Sequence, residues 1–329
     1  MRAILTYADR LAGRGHAVTV VVPARSHVAA AWRRLTGSGP GWMPRFRARV
    51  AWVAAWDAAR LPDADVLLAT AWRSAPVAAA APSRAGRGFY LVQHYESLYH
   101  GAPAAVDATY RLPLRPIVIS TWLRDVLRER FARAAELLVT PVDRELFRPL
   151  PRRAPGPDVR VLMLHHDYAW KGVADGLEAV RRVRARGRPL RLVGFGVRRP
   201  RGAMPYDEFH ENPAQARLAA LYSDSDVYLC PSWDEGLGMP SMEAMACGTG
   251  LVTYDNGGCR DYARDGETAL VARRRDVDDL AAKLERMATD PALRARLAAA
   301  GMALVTTAFD WERAVARLEA LFEREKGAC

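Results

Sequence analysis

Lysine is nearly absent from this chain: three of its 48 basic residues are lysine, at Lys171, Lys283 and Lys326, and arginine supplies the rest. Cysteine is equally sparse. Cys230, Cys247, Cys259 and Cys329 form no C-x-x-C pair and no zinc-like spacing, which argues against a disulfide scaffold and a structural metal site. No apolar run approaches the ~18–20 residues of a membrane span, and Met1–Arg10 carries no signal-peptide core. A cytoplasmic compartment is the expectation. Helix-turn-helix, RNA-binding and aromatic-interleaved basic patterns are also missing, so a nucleic acid partner is not expected. The one acidic pair with metal-site letters, Asp224-Ser-Asp226, lies at the entry to a strand and reads as a turn; no metal is expected.

What is present is charge, apolar residues and a repeating local pattern. Half of the 329 residues are hydrophobic and the formal net charge is +11. The length suggests about two domains of roughly 150 residues. The densest basic runs, Arg181–Arg188 and Arg198–Arg201, suit either a solvated helix end or an anionic partner such as a membrane surface or a lipid-carried acceptor.

Short apolar runs alternate with helical periodicity along the whole chain, which indicates parallel sheets covered on both faces. A helix over residues 2–12 precedes strands near 17–22, 49–53, 65–70, 88–93, 116–120 and 136–140, with a helix at 121–131. No strand precedes that opening helix, so either the first doubly wound sheet lacks its usual opening strand and glycine loop or the start lies downstream of the true one. Pro149–Pro157, with four prolines, reads as a linker. Strands then follow at 158–164, 190–194, 226–230, 250–254 and 268–272. Helices are expected at 173–186, 214–222, 240–247, 276–289, 290–303 and 311–324. The division is 1–148, linker 149–157, 158–308, and a last helix in 309–329 returning toward the first domain.

Pro231–Gly248 is the most informative stretch. A buried strand leads into Gly236-Leu237-Gly238, and Pro240 opens a short helix whose N-terminus suits an anion such as phosphate. Glu235 and Glu243 frame that loop, with Glu243 expected in the helix's first turn. Acids beside a phosphate site more plausibly grip hydroxyls, and a sugar, a diphosphate and a ribose come in that order in one molecule. The same letters also suit any strand–loop–helix turn, and a first-turn Glu is favoured by the helix dipole alone.

With these pieces in order, the chain resembles the retaining glycosyltransferases of family 4, which have the GT-B fold of two Rossmann-like domains facing across a cleft. Glu235 and Glu243 match the family's E-x7-E signature, within a block that runs on through Asp255–Gly258 and Asp265–Val271. Phe89–Ser97 and Ile119–Leu123 resemble the subgroup of bacterial rhamnosyl and surface-polysaccharide transferases. The resemblance implies a nucleotide-sugar donor, a sugar, glycolipid or polysaccharide acceptor, and no cofactor.

By the same resemblance Glu243 holds the ribose, Glu235 contacts the donor sugar, and Gly236, Leu237 and Gly238 line the sugar–diphosphate. Lys171 neutralises the diphosphate, and His94 contacts the sugar. On residue type alone, Lys171 could be a surface lysine opening a helix, and His94 a polar strand cap. His166 stands where the family has an arginine, five residues before Lys171. It would be a weaker, pH-dependent phosphate partner, or would tune donor choice. Non-catalytic subunit is the competing reading, and a glycosyl-phosphorylase on the same fold a distant third.

Overall fold

The computed structural model describes residues 2–24, 43, 45–154, 156–202 and 204–326; Pro155 of the proline-rich stretch and Cys329 lie outside the described residues. The chain forms two compact units. The first comprises Met1–Ile119, Arg124–Thr140 and Glu312–Cys329, and the second Ser120–Leu123 and Pro141–Trp311.

In the first unit, helix α1 (Arg2–Gly13) leads to β1 (Thr19–Pro23), which pairs in parallel with β2 (Arg49–Val53). Four further strands form a second parallel sheet: β3 (Val66–Ala69), β4 (Arg87–Val92), β5 (Arg115–Val118) and β6 (Glu136–Leu137). The strands expected to share one sheet are therefore divided between two among the described residues. β4 is the best buried of them, with Phe89, Tyr90, Leu91 and Val92 all at or below 3% exposure, whereas β1 keeps no buried residue. Helices α2 (Ala75–Ala79) and α3 (Pro103–Thr109), neither expected from periodicity, cover this sheet's connections, and α4 (Thr121–Phe131) follows β5. β6 is shorter than expected because it pairs only with Ile117 and Val118.

The second unit is a six-stranded, all-parallel sheet. Its strands are β7 (Val159–Leu164), β8 (Leu190–Gly196), β9 (Glu208–Glu211), β10 (Val227–Cys230), β11 (Gly250–Tyr254) and β12 (Leu270–Ala272). They lie in the order β12-β11-β10-β7-β8-β9. The chain starts in the middle, builds outward to one side and then to the other, which places a topological switch point between β7 and β10. β9 was not expected, because Glu-Phe-His-Glu carries little apolar signal; it is an edge strand beside β8.

Helices α5 (Val173–Ala185), α6 (Gln215–Ser223), α7 (Met239–Ala246), α8 (Val277–Thr289) and α9 (Pro291–Thr307) cover the second sheet. α8 shows why: Leu280, Ala281, Leu284, Met287 and Ala288 recur on one face and are buried against the sheet. Its start is fixed by Asp276, whose carboxylate accepts the Asp279 N–H at 3.0 Å. Asp276→Ala is expected to cost about 1 kcal/mol of stability, measured by urea denaturation, because that N–H loses its cap.

The unit begins at Pro141, upstream of the stretch read as a linker. Ser223 Oγ accepts the Leu150 N–H, and Arg152 and Arg153 pair with Asp226 and Asp224, so this proline-rich segment is tied to the second unit. The Arg181–Arg188 run is similarly occupied: Arg181 and Arg182 pair with Glu178, Arg184 with Asp207, and Arg186 with Glu285. That reduces its use as a surface for an anionic partner.

One helical stretch, Pro291–Arg324, is long and apolar enough by composition to cross a membrane, contrary to the expectation from sequence. It consists of α9 and α10 (Trp311–Lys326), interrupted at 308–310. Leu293, Leu297 and Val305 of α9 are buried within the second unit, and 22% of the apolar window is buried in all.

Candidate active site

β10 is wholly buried between β7 and β11, and its last residue delivers the chain to the sheet's carboxyl edge. From there Pro231–Gly238 crosses the switch point and enters α7. Gly238 caps the helix with φ +88°, and a side-chain carbon there would lie 2.4 Å from the Tyr262 hydroxyl. Glycine is thus required both by the left-handed backbone and by space. The helix starts at Met239, one residue before Pro240, so Glu243 falls in its second turn and not in the first, as its spacing from Pro240 had suggested.

Two neighbouring turns clamp this loop. The Trp233 N–H donates to the Trp170 carbonyl at 2.8 Å, and the Glu235 N–H donates to the Asn256 carbonyl at 2.9 Å. Asn256 is itself buried and organised by Thr253 and Cys259. Asp234 is anchored by two hydrogen bonds from Arg274, at 2.8 and 2.6 Å.

A pocket opens at this edge, lined by Leu164, Lys171, Tyr228–Ser232, Glu235, Gly238, Pro240 and Ser241. It sits where β7 and β10 diverge, the position at which open parallel sheets take their ligands. Lys171 reaches it from a single 3₁₀ turn, Ala169–Lys171, that ends at Gly172 with φ +62°. Lys171 Nζ donates to Glu235 Oε1 at 2.6 Å, and the side chains are 19% and 12% exposed. Ser241, in the first turn of α7, has a buried Oγ with no hydrogen-bond partner of good geometry, while the Tyr262 hydroxyl beside it donates to the Gly238 carbonyl. Sequence reading missed Ser241. Its signal was its place directly after Pro240 at a helix N-terminus.

The residues singled out by sequence are placed unevenly. Lys171, Glu235 and Gly238 line the pocket together. Leu237 is buried beside it, at 2% exposure, and Gly236 lies between them in the same loop. Glu243 is buried in α7, where its Oε2 accepts a hydrogen bond from Tyr222 at 3.3 Å. That phenol is pushed well above its ordinary pKa, first by burial and then by the Glu243 charge, so it stays a donor.

His166 lies near enough to sense both Lys171 and Glu235. Burial, with Lys171 adding to it, holds its imidazole below its ordinary pKa, so the ring is neutral at pH 7. Its Nδ1 accepts the Tyr168 N–H at 3.1 Å, which leaves Nε2 as the proton-bearing nitrogen. Tyr168 stacks between His166 and Trp170, with centroids 4.3 and 4.2 Å away. Among the described residues Lys171 is the only cationic side chain lining the pocket.

His94 belongs to the first unit. It follows β4, its ring nitrogens are buried, and its ring meets Tyr99 edge-on at 5.6 Å. Two residues on, Glu96 Oε2 accepts from the Trp72 N–H at 2.9 Å, and burial raises its carboxyl pKa. Glu96 was not anticipated; it was hidden within an apolar–aromatic run. Among the described residues no group of His, Cys, Asp and Glu has the arrangement of a metal site.

A parallel α/β fold in each unit, with a pocket at the switch point of the second, is the architecture of the GT-B glycosyltransferases. Residues 151–303, which lie within the second unit, match the family "Glycosyl transferases group 1". The chain is 33% identical over 273 residues to the O-antigen biosynthesis protein RfbC of Myxococcus xanthus, a match that covers 80% of this chain and 21% of that protein. The curated relatives matched here are longer proteins, of which the chain spans between about a fifth and about half.

Among solved structures, a sucrose-phosphate synthase from Thermosynechococcus elongatus superposes with a TM-score of 0.81 at 18% identity, covering 100% of this chain and 94% of that one. HepE of Anabaena, in complex with UDP and glucose, gives 0.76 at 16% identity, covering 98% and 95%. At such identities these two establish the shared fold.

Proposed function

We propose that the chain transfers a sugar from a nucleotide-sugar donor to an acceptor hydroxyl with retention at the anomeric carbon. The observation that carries this reading is the switch-point pocket, in which a single cation, a carboxylate and a helix N-terminus meet. In this reading the diphosphate lies against Lys171, Ser241 and the start of α7, and the loop Gly236–Gly238 follows the sugar–phosphate junction. Glu235 takes sugar hydroxyls, Glu243 the ribose, and neutral His166 donates through Nε2.

As the bond between the anomeric carbon and the phosphate oxygen breaks, negative charge grows on the leaving diphosphate, and a pre-placed cation and N–H groups stabilise it. The acceptor oxygen bonds to the same face of that carbon, and its proton passes to the departing phosphate oxygen. The two glutamates serve binding, in contrast to the carboxyl pair about 5 Å apart that flanks one bond in retaining glycosidases. No metal and no cofactor takes part in this scheme. The name of one relative, an O-antigen biosynthesis protein, supports a role in cell-surface polysaccharide or glycoconjugate synthesis; a cytoplasmic site of action on a lipid-held acceptor is part of the same proposal.

The test is a donor panel. Wild type and Glu243→Ala are incubated with UDP-, GDP-, ADP- and dTDP-sugars, and nucleoside diphosphate release is followed together with binding. One donor should bind wild type, and Glu243→Ala should weaken it by about 10–100-fold, since a charge-assisted hydrogen bond contributes about 1.5–3 kcal/mol. Binding of no donor at all would sink the assignment.

A further inference from the structure

The Lys171–Glu235 pair occupies the place that the pocket offers to an anion. Both side chains are mostly buried and only 2.6 Å separates their charged atoms. The main chain that carries each of them is fixed, and only the side chains can turn. The Lys171 turn is pinned by the hydrogen bond between Trp233 and Trp170, and Glu235 by its own N–H on Asn256 and its backbone bridge to Gly257. Two desolvated charges held this way depend on each other, because removing one leaves the other uncompensated.

A diphosphate reaching Lys171 must therefore displace a carboxylate that stays in the pocket beside it. What happens to that carboxylate depends on what the diphosphate carries. A sugar brings hydroxyl donors that can satisfy Glu235 once Lys171 has turned to the phosphates. A bare nucleoside diphosphate brings none, and leaves an anion facing an anion in a confined site.

We propose that Glu235 is a built-in competitor for Lys171 that selects sugar-bearing nucleotides over bare nucleoside diphosphates. The inference rests on reading this pocket as a nucleotide-sugar site. It gives Glu235 a second role besides holding sugar hydroxyls. After transfer, the lost sugar leaves Glu235 without donors, and the carboxylate returns to Lys171 as the product departs.

The test is titration calorimetry on the full chain with UDP, GDP, ADP and dTDP and with their glucose esters. The proteins are wild type, Glu235→Gln and Glu235→Ala, each checked by thermal melting. Glutamine keeps the shape and removes the charge; alanine removes both, so one soluble variant suffices. The bare diphosphate that wild type binds should bind the variants about tenfold tighter, the factor that corresponds to about 1.4 kcal/mol. The glucose ester should bind no tighter, because it loses its hydroxyl partner as the competitor disappears.

Tightening of both ligands by the same factor would reveal a mere charge effect and overturn the proposal. So would unchanged or weaker diphosphate binding. If wild type binds neither class of ligand and Glu243→Ala changes nothing, the nucleotide-sugar reading fails and this inference falls with it. Diphosphate binding by wild type without tightening in the variants sinks the competitor role alone.

Discussion

Lys171→Met is expected to lower kcat/KM for sugar transfer by about 10³-fold, at the upper end of what removing one pre-placed transition-state donor costs. The size follows from the lining of the pocket, where Lys171 is the only cationic side chain among the described residues, while burial, the largest cause of the lowered His166 pKa, persists in the variant. Methionine keeps most of the aliphatic stem, so the change isolates the charge.

The substitution also leaves Glu235 buried without its partner, and loss of one member of a buried pair destabilises by about 3–5 kcal/mol. A fall in activity could then reflect unfolding. The double variant Lys171→Met/Glu235→Gln separates the two effects, because it removes both charges. It should recover most of the melting temperature and none of the activity. Recovery of transfer in the double variant would mean that Lys171 serves only to neutralise Glu235.

Gly172→Ala is the second large effect. A side-chain carbon at this position would lie 1.9 Å from the Pro231 carbonyl oxygen, on a backbone with φ +62°. The neighbouring atom is main chain, in the loop that leads to Glu235, so neither side can yield without moving the pocket. Left-handed backbone alone costs a non-glycine residue about 1–2 kcal/mol, and the overlap adds to it. A total loss of roughly 3 kcal/mol or more in urea unfolding is expected, with transfer reduced because Lys171 is the preceding residue.

Gly187→Ala is the matching control. Its φ is +74°, but an added carbon would meet nothing within 4 Å. It should lose only the backbone contribution, about 1–2 kcal/mol, and keep full activity. Equal losses at the two positions would show that the contact with Pro231 is unimportant.

Much of the second unit was legible in the sequence because its signals are local. β10 and β11 are continuous apolar runs, Asp276 and Asp290 are helix caps, and Gly238 and Gly248 sit at left-handed positions. Periodicity could not show β9, whose polar letters follow from its edge position, or the short helices α2 and α3, each of only one or two turns. The division of the first unit's strands between two sheets is a matter of pairing, which one strand's letters do not encode.

The candidate site divides in the same way. Glu235, Gly238 and Glu243 fall in one stretch, so their spacing pointed to a shared loop and helix. Lys171 reaches the pocket from 64 residues away in sequence. Only its scarcity and the resemblance singled it out, and the ion pair with Glu235 emerged from tertiary structure alone. Ser241 was overlooked because a serine after a proline is common, and what distinguishes it is a buried hydroxyl with no hydrogen-bond partner of good geometry. Glu243's turn was misplaced by a one-residue shift in the helix start, an ordinary boundary error with a chemical consequence.

In the proposed function the switch-point pocket of the second unit holds a nucleotide-sugar with its diphosphate at Lys171. A crystal structure of the full chain soaked with the nucleoside diphosphate selected by the donor panel tests this most directly. Difference density should place the diphosphate against Lys171 Nζ, Ser241 Oγ and the first turn of α7, with the ribose hydroxyls at Glu243 and the Lys171–Glu235 contact broken. Nucleotide bound elsewhere, or bound with that contact intact at 2.6 Å, would contradict it.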